Sequence, residues 1–162
     1  MAHPKKFPDG SVGLTVEHSP SAEQLARLDA LCFDDSWGPE AFTALLDNPA
    51  LRAWILSQED PGGDTPIAHA FICFQLIENE AEILRIGVVP DHRGRGLGRK
   101  LLGGLLAEFN ASNVRRVTLE VRAGNHPARR LYESLGFTLG SLRADYYRKP
   151  TEDACLYVWN GT

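Results

Sequence analysis

The chain predicts a mixed α/β fold on a largely antiparallel sheet. Strand-like runs at 51–58, 67–77 and 81–89 follow one another with only turns or a short loop between them, which joins strands antiparallel. From 81 to 121 the order changes to strand, glycine-rich turn, amphipathic helix, strand, which demands a crossover and so mixes the sheet. At 162 residues and 43% hydrophobic, one domain with a real core is expected, spanning 12–160 after a loose lead-in over 1–11.

Each element has its own signal. Val12 to Glu17 alternates as a strand. Ser21 with Gln24 forms a capping box, and Leu25, Leu28 and Cys32 keep helical spacing to about Cys32. Pro39 starts a second short helix, which Asn48-Pro49 stops after Leu46. Trp37, in the loop between these helices, reads equally as a gate or as a staple. Leu51–Gln58 and Ile67–Ile77 are strands joined by a Pro- and Gly-rich loop, and Asn79-Glu80 turns into the strand Ala81–Val89. Leu101, Leu102, Leu105, Leu106 and Phe109 make one stripe on a helix from Arg99 to about Asn110. In the strand Val114–Val121, Val117, Leu119 and Val121 share one face, and Thr118 and Glu120 the other. Asn125 caps a helix to Leu135, which Gly136 closes. Phe137–Leu142 and Asp153–Val158 are the last strands, with Tyr146-Tyr147 in the loop between.

A net charge of −4 argues against general nucleic-acid binding. Cys32, Cys73 and Cys155 show neither metal-ligand spacing nor a disulfide framework and read as small hydrophobes. No metal, signal peptide or membrane span is expected, and the chain reads as cytoplasmic.

The chemistry centres on Arg93-Gly94-Arg95-Gly96-Leu97-Gly98. Backbone N–H groups and the positive end of a helix dipole converge there on one point, a phosphate site with Arg99 and Lys100 nearby. A Walker loop is excluded: its second glycine would fall on Arg99, and Leu101 replaces the required hydroxyl. A dinucleotide fingerprint is excluded by the spacing G-x-G-x-G.

The pattern Arg93-x-x-Gly96-x-Gly98 resembles the acetyl-coenzyme A pyrophosphate loop of the GNAT superfamily of N-acetyltransferases. Leu119-Glu120-Val121-Arg122-Ala123-Gly124-Asn125, then Ala128, then Leu131-Tyr132 to Gly136-Phe137, resembles the RimI type in particular, which acetylates the N-terminal alanine of a small-subunit ribosomal protein. The resemblance implies a GNAT fold with helices on both faces of the sheet, and acetyl-CoA as co-substrate. It also implies roles. Ile86, Gly87 and Val88 would meet the pantetheine arm, Arg93 to Gly98 the pyrophosphate and Asn125 the coenzyme arm, with Glu120 as general base and Tyr132 as general acid.

The chemistry is compatible. An α-amine titrates at about 7.7–8.0 and a lysine at about 10.4, so the former needs little help to become nucleophilic. A carboxylate can take its proton, and a phenol can protonate the departing thiolate. Taken alone, Glu120 reads as a salt-bridged sheet residue, Tyr132 as packing and Asn125 as a cap. Glu82 is the rival base, placed by alternation on the face of Leu84, Ile86 and Val88. His69 and His92 read as surface or packing residues, and His126 has a minor claim to the acceptor pocket. A lysine side chain or small-molecule amine as acceptor, or a coenzyme-binding module without turnover, stays open.

Overall fold

A computed structural model describes residues 5–7 and 11–162. The elements run β1 (Lys5–Lys6), β2 (Leu14–Glu17), α1 (Ala22–Cys32), α2 (Gly38–Asp47), β3 (Leu51–Gln58), β4 (Ile67–Ile77), β5 (Glu80–Val88), a 3-10 turn (Pro90–His92), α3 (Leu97–Ala111), β6 (Arg116–Arg122), α4 (His126–Ser134), β7 (Thr138–Tyr147) and β8 (Glu152–Asn160). The strands form one sheet in the order β1-β2-β3-β4-β5-β6-β8-β7. Every neighbouring pair is antiparallel except β5–β6. That single parallel pair is the one joined through α3, as a crossover requires.

Helices cover both faces, each over its own core. Leu25 and Leu28 of α1 and Phe42 of α2 pack on Ile55, Phe71 and Cys73. On the other face Leu101, Leu102 and Leu105 of α3 pack on Ile72, Phe74, Val117 and Leu119, and Tyr132 of α4 joins them. The Ser21–Gln24 capping box forms as expected, with both reciprocal bonds present.

Three expectations change. The lead-in is not loose where it is described: Lys5 and Lys6 pair with Val16 and Thr15, and Phe7 is buried against the α3 core. Residues 1–4 and 8–10 of that lead-in lie outside the described residues. The helix after the glycine turn begins at Leu97 rather than Arg99. Tyr146 and Tyr147 end β7 instead of sitting in a loop, since the strand continues past Leu142 through an irregular register.

Candidate active site

β5 and β6 are paired only from Glu80–Ile83 against Arg116–Leu119. Beyond that point β5 stays with β4 as far as Val88↔Ala70, and β6 stays with β8 through Arg122↔Ala154. The two central strands therefore part, and among the described residues the β5 edge that faced β6 has no strand beside it from Leu84 onward. A cavity of about 570 Å³ opens at the fork, lined among others by Ile86, Glu120, Asn125, Tyr132 and Tyr146. The side chains of 86, 120, 125 and 132, far apart in sequence, thus meet in one space.

β5 carries an irregularity that alternation did not predict. Cys73 pairs with Arg85 but Phe74 pairs with Ile83, so Leu84 is an extra residue. The bulge reverses the phase of the strand. Glu82 consequently shares its face with Arg85 and Gly87, not with Ile86 and Val88 as alternation proposed. Its partner across the parallel pair is Thr118, on the same β6 face as Glu120. Both carboxylates line the cavity.

Glu120 has two neighbours from β7. Arg143 Nη1 lies 3.2 Å from its Oε1, and the Tyr146 hydroxyl hydrogen-bonds to it. That bond, with the carboxylate's charge, holds the Tyr146 phenol above its ordinary value. Arg143 in turn lies over the Tyr146 ring at 5.3 Å. Tyr132 reaches the cavity from the opposite face, through the α3-side core. Its ring is tilted against Phe137 and Tyr157, and burial pushes its phenol well above the usual tyrosine range. Asn125 caps α4: its side-chain oxygen accepts from Ala128 N–H at 3.3 Å. Asn125 also lines the cavity.

α4 is fixed by a second network. Arg129 donates to the Tyr157 hydroxyl at 3.0 Å and to the Ala123 carbonyl at 2.8 Å, and Tyr157 donates to Glu133 at 2.6 Å. His126 is exposed and does not line the cavity.

The glycine turn leads from the end of β5 into α3. Gly94 and Gly96 have φ of +74° and +77°, and an added Cβ at either meets nothing within 4 Å. The left-handed backbone turns the loop, and the space over it stays open. The first helical bond is Lys100 N–H to Gly96 O, so the N–H groups of Leu97, Gly98 and Arg99 have no acceptor within the helix. Gly98 sits close under Val88 and Leu131, tying the turn to the fork. The cations are partly committed. Arg93 donates from Nε to Val88 O at 2.9 Å and from Nη2 to Cys32 O at 3.1 Å, so its guanidinium braces the loop. Arg99 is bound to the carbonyl and hydroxyl of Ser134. His92 stacks on buried His69 at 3.8 Å and lies 3.4 Å from Arg95, so the pair packs under the loop. Burial, then the nearby His92 and Arg95, holds the His69 imidazole below its usual value.

An open strand edge facing a phosphate-competent helix start is an arrangement suited to an extended, diphosphate-bearing ligand. Residues 22–137 match the acetyltransferase (GNAT) family. The chain belongs to the GNAT acetyltransferase family. Over 137 residues it is 39% identical to N-alpha-acetyltransferase RimI of Mycobacterium tuberculosis, covering 82% of each chain. Over 84 residues it is 45% identical to the ribosomal protein bS18-alanine N-acetyltransferase of Escherichia coli, a stretch covering 52% of this chain and 55% of that one. The crystal structure of the ribosomal-protein-S18-alanine N-acetyltransferase from Escherichia coli aligns with a TM-score of 0.80 at 28% identity, covering 91% of this chain and 93% of that chain. The GNAT fold and the acetyl-CoA-dependent N-acetyltransferase class expected from the residues both stand.

Among the described residues no group of three His, Cys, Asp or Glu is placed to hold a metal, and no helix is long and apolar enough to cross a membrane. What the residues alone did not reveal is the wall of the cavity. Arg143 as partner of Glu120, and Phe33, Asp35 and Arg85 as its far side, are brought in by β7 and by the α1–α2 loop. Trp37 packs on Phe42 at 5.5 Å, as the staple reading expects, and it also lines the cavity.

Proposed function

We propose that this GNAT enzyme transfers the acetyl group of acetyl-CoA to the α-amine of a protein N-terminus, with the N-terminal alanine of a small-subunit ribosomal protein as acceptor. The observation that carries the proposal is the fork between β5 and β6, with the glycine turn at its open end. The relatives named for bS18-alanine and N-alpha acetylation direct the choice of acceptor.

In this account the N–H groups from Gly94 to Arg99 receive the diphosphate, Arg95 adds charge, and Arg93 keeps the loop against β5. The backbone edge at Ile86, Gly87 and Val88, which β6 does not pair and where Arg93 holds the Val88 carbonyl, takes the pantetheine arm as a strand would, and the Asn125 amide donates to it. Glu120 takes the proton of the attacking amine, directly or through one water, as the nitrogen–carbonyl bond forms. At pH 7 roughly a tenth of an α-amine is already neutral, so a carboxylate suffices. Glu82, on the same face, is the alternative base. A backbone N–H near Val88 stabilises the tetrahedral oxyanion. As the carbon–sulfur bond breaks, Tyr132 donates to the sulfur; its burial keeps the phenol protonated throughout the neutral range. The proposed domain, 12–160, holds every one of these groups.

Mass spectrometry on two peptides tests this. Both begin with alanine and contain lysine; one has a blocked α-amine. Acetylation confined to the α-amine of the free peptide is expected. Equal modification of lysine in both peptides contradicts the choice of acceptor.

A further inference from the structure

Arg85 is not among the groups given a role above, yet the acceptor side of the cavity is built around it. Its Nε donates to Asp29 Oδ1 at 2.5 Å, and Asp29 has no exposed side-chain surface. Its Nη2 donates to the Asp35 carbonyl at 3.1 Å and to Asp35 Oδ1 at 3.2 Å. The guanidinium lies over the Phe33 ring at 4.1 Å and the Trp37 ring at 4.5 Å. The other oxygen of Asp29 accepts the Trp37 backbone N–H at 2.7 Å. One planar cation on β5 therefore organises the whole segment from Phe33 to Trp37, which joins α1 to α2.

Phe33, Asp35 and Trp37 line the cavity across from Glu120 and Tyr146. Phe33 also meets Phe71 edge-on at 6.4 Å and Trp37 packs on Phe42, but the Asp35 side chain between them is 83% exposed and is tied down through Arg85. Arg85 itself exposes only 11% of its side chain and is spent on these contacts. It is thus placed to act on an acceptor through the loop and not by touching it. The Leu84 bulge is what turns Arg85 toward the α1–α2 face, on the same side as Gly87.

We infer that Arg85 is a positioning residue that sets acceptor selectivity, by holding the 33–37 segment as the wall against which the first residues of the acceptor lie. The inference rests on the N-acetyltransferase reading above. Lysine cannot replace this group, because an ammonium lacks the flat face and the second pair of donors.

The test compares wild-type protein, Arg85→Lys and Asp35→Ala. Arg85→Lys retains a cation for buried Asp29, and Asp35→Ala changes an exposed side chain, so both are expected to fold. Arg85→Lys is expected to raise KM for an alanine-starting peptide about tenfold, with a smaller change in kcat. It is also expected to narrow the kcat/KM ratio between alanine-starting and leucine-starting peptides, and to leave acetyl-CoA affinity by calorimetry unchanged. Asp35→Ala should move peptide KM in the same direction by less. Hydrogen exchange read by mass spectrometry should show faster exchange of the 33–37 segment in Arg85→Lys, a readout independent of turnover. Unchanged peptide KM, selectivity and exchange in Arg85→Lys would overturn the inference. Faster exchange without any effect on the peptide constants would also overturn it, since the loop would then move without consequence for the acceptor. Coenzyme binding without wild-type turnover on any amine would instead remove the catalytic reading, and the inference with it.

Discussion

Glu120 sits between two β7 side chains, Arg143 at 3.2 Å and the Tyr146 hydroxyl, and these fix where its carboxylate points. A base held this way cannot be replaced by an amide of the same shape. Glu120→Gln should lower kcat/KM by about a hundredfold or more, with the largest loss at low pH where the amine is protonated. A pH–rate profile checks this, and a uniform loss at all pH values would assign Glu120 to positioning. If Glu82→Gln gives the larger loss, the two carboxylates exchange roles. At the glycine turn, Gly96→Glu places a side chain on a left-handed backbone (φ +77°) and a carboxylate at the helix start where the diphosphate is proposed to sit. Coenzyme affinity measured by calorimetry should fall below detection, and retained affinity would refute the phosphate assignment.

At the scale of elements, β5 does two jobs. Its first half closes the sheet against β6, and its second half carries the open edge. Gly87 allows α1 to lie against that second half: an added Cβ would stand 2.8 Å from Phe71 Cε1 and 3.0 Å from Cys32 Sγ. Gly87→Ala should therefore destabilise the fold by about 1–3 kcal/mol, read by urea denaturation, and should displace Cys32 and the loop after it. What was legible in the residues follows the same division. The helix stripe from Leu101 to Phe109, the Ser21 capping box and the alternation in β6 each impose a period that survives in the fold. The Leu84 bulge did not show, because Ile83 and Leu84 are both apolar and either can be read as the residue in phase with Ile86. β7 was cut short because Thr138 to Tyr146 are exposed on an edge strand, where no buried face enforces alternation. Phe7, isolated among Lys and Pro, gave no periodic signal, yet long-range packing on α3 buries it. The wall built on Arg85 was hidden for a similar reason: its partners Asp29 and Asp35 lie 56 and 50 residues away.

For the whole molecule, two cores share one sheet, and the α1–α2 core contains a thiol without exposure to water. Burial, and then the charge of Asp29, pushes Cys73 from 9.0 up to about 12. Between those values the unfolded thiol binds fewer protons than the folded one, so stability is intact below pH 9 and falls as pH rises toward 12. At about 1.4 kcal/mol per pH unit this one group removes about 4 kcal/mol across the window. Buried Tyr132, raised in the same direction, adds to the fall above its unfolded value near 10. Urea titrations at pH 8 and 11 should show the drop, and Cys73→Ala should flatten it; an equal slope in the variant would place the loss elsewhere.

The fork between β5 and β6 links these scales, since it depends on the β6–β8 pairing, the β4–β5 pairing and the α3 crossover together. A crystal structure of the protein with coenzyme A tests it most directly. Diphosphate oxygens are expected on the N–H groups of residues 94–99, with the pantetheine arm along the β5 edge at 86–88. A coenzyme bound away from the fork, with that edge still bare, would contradict it.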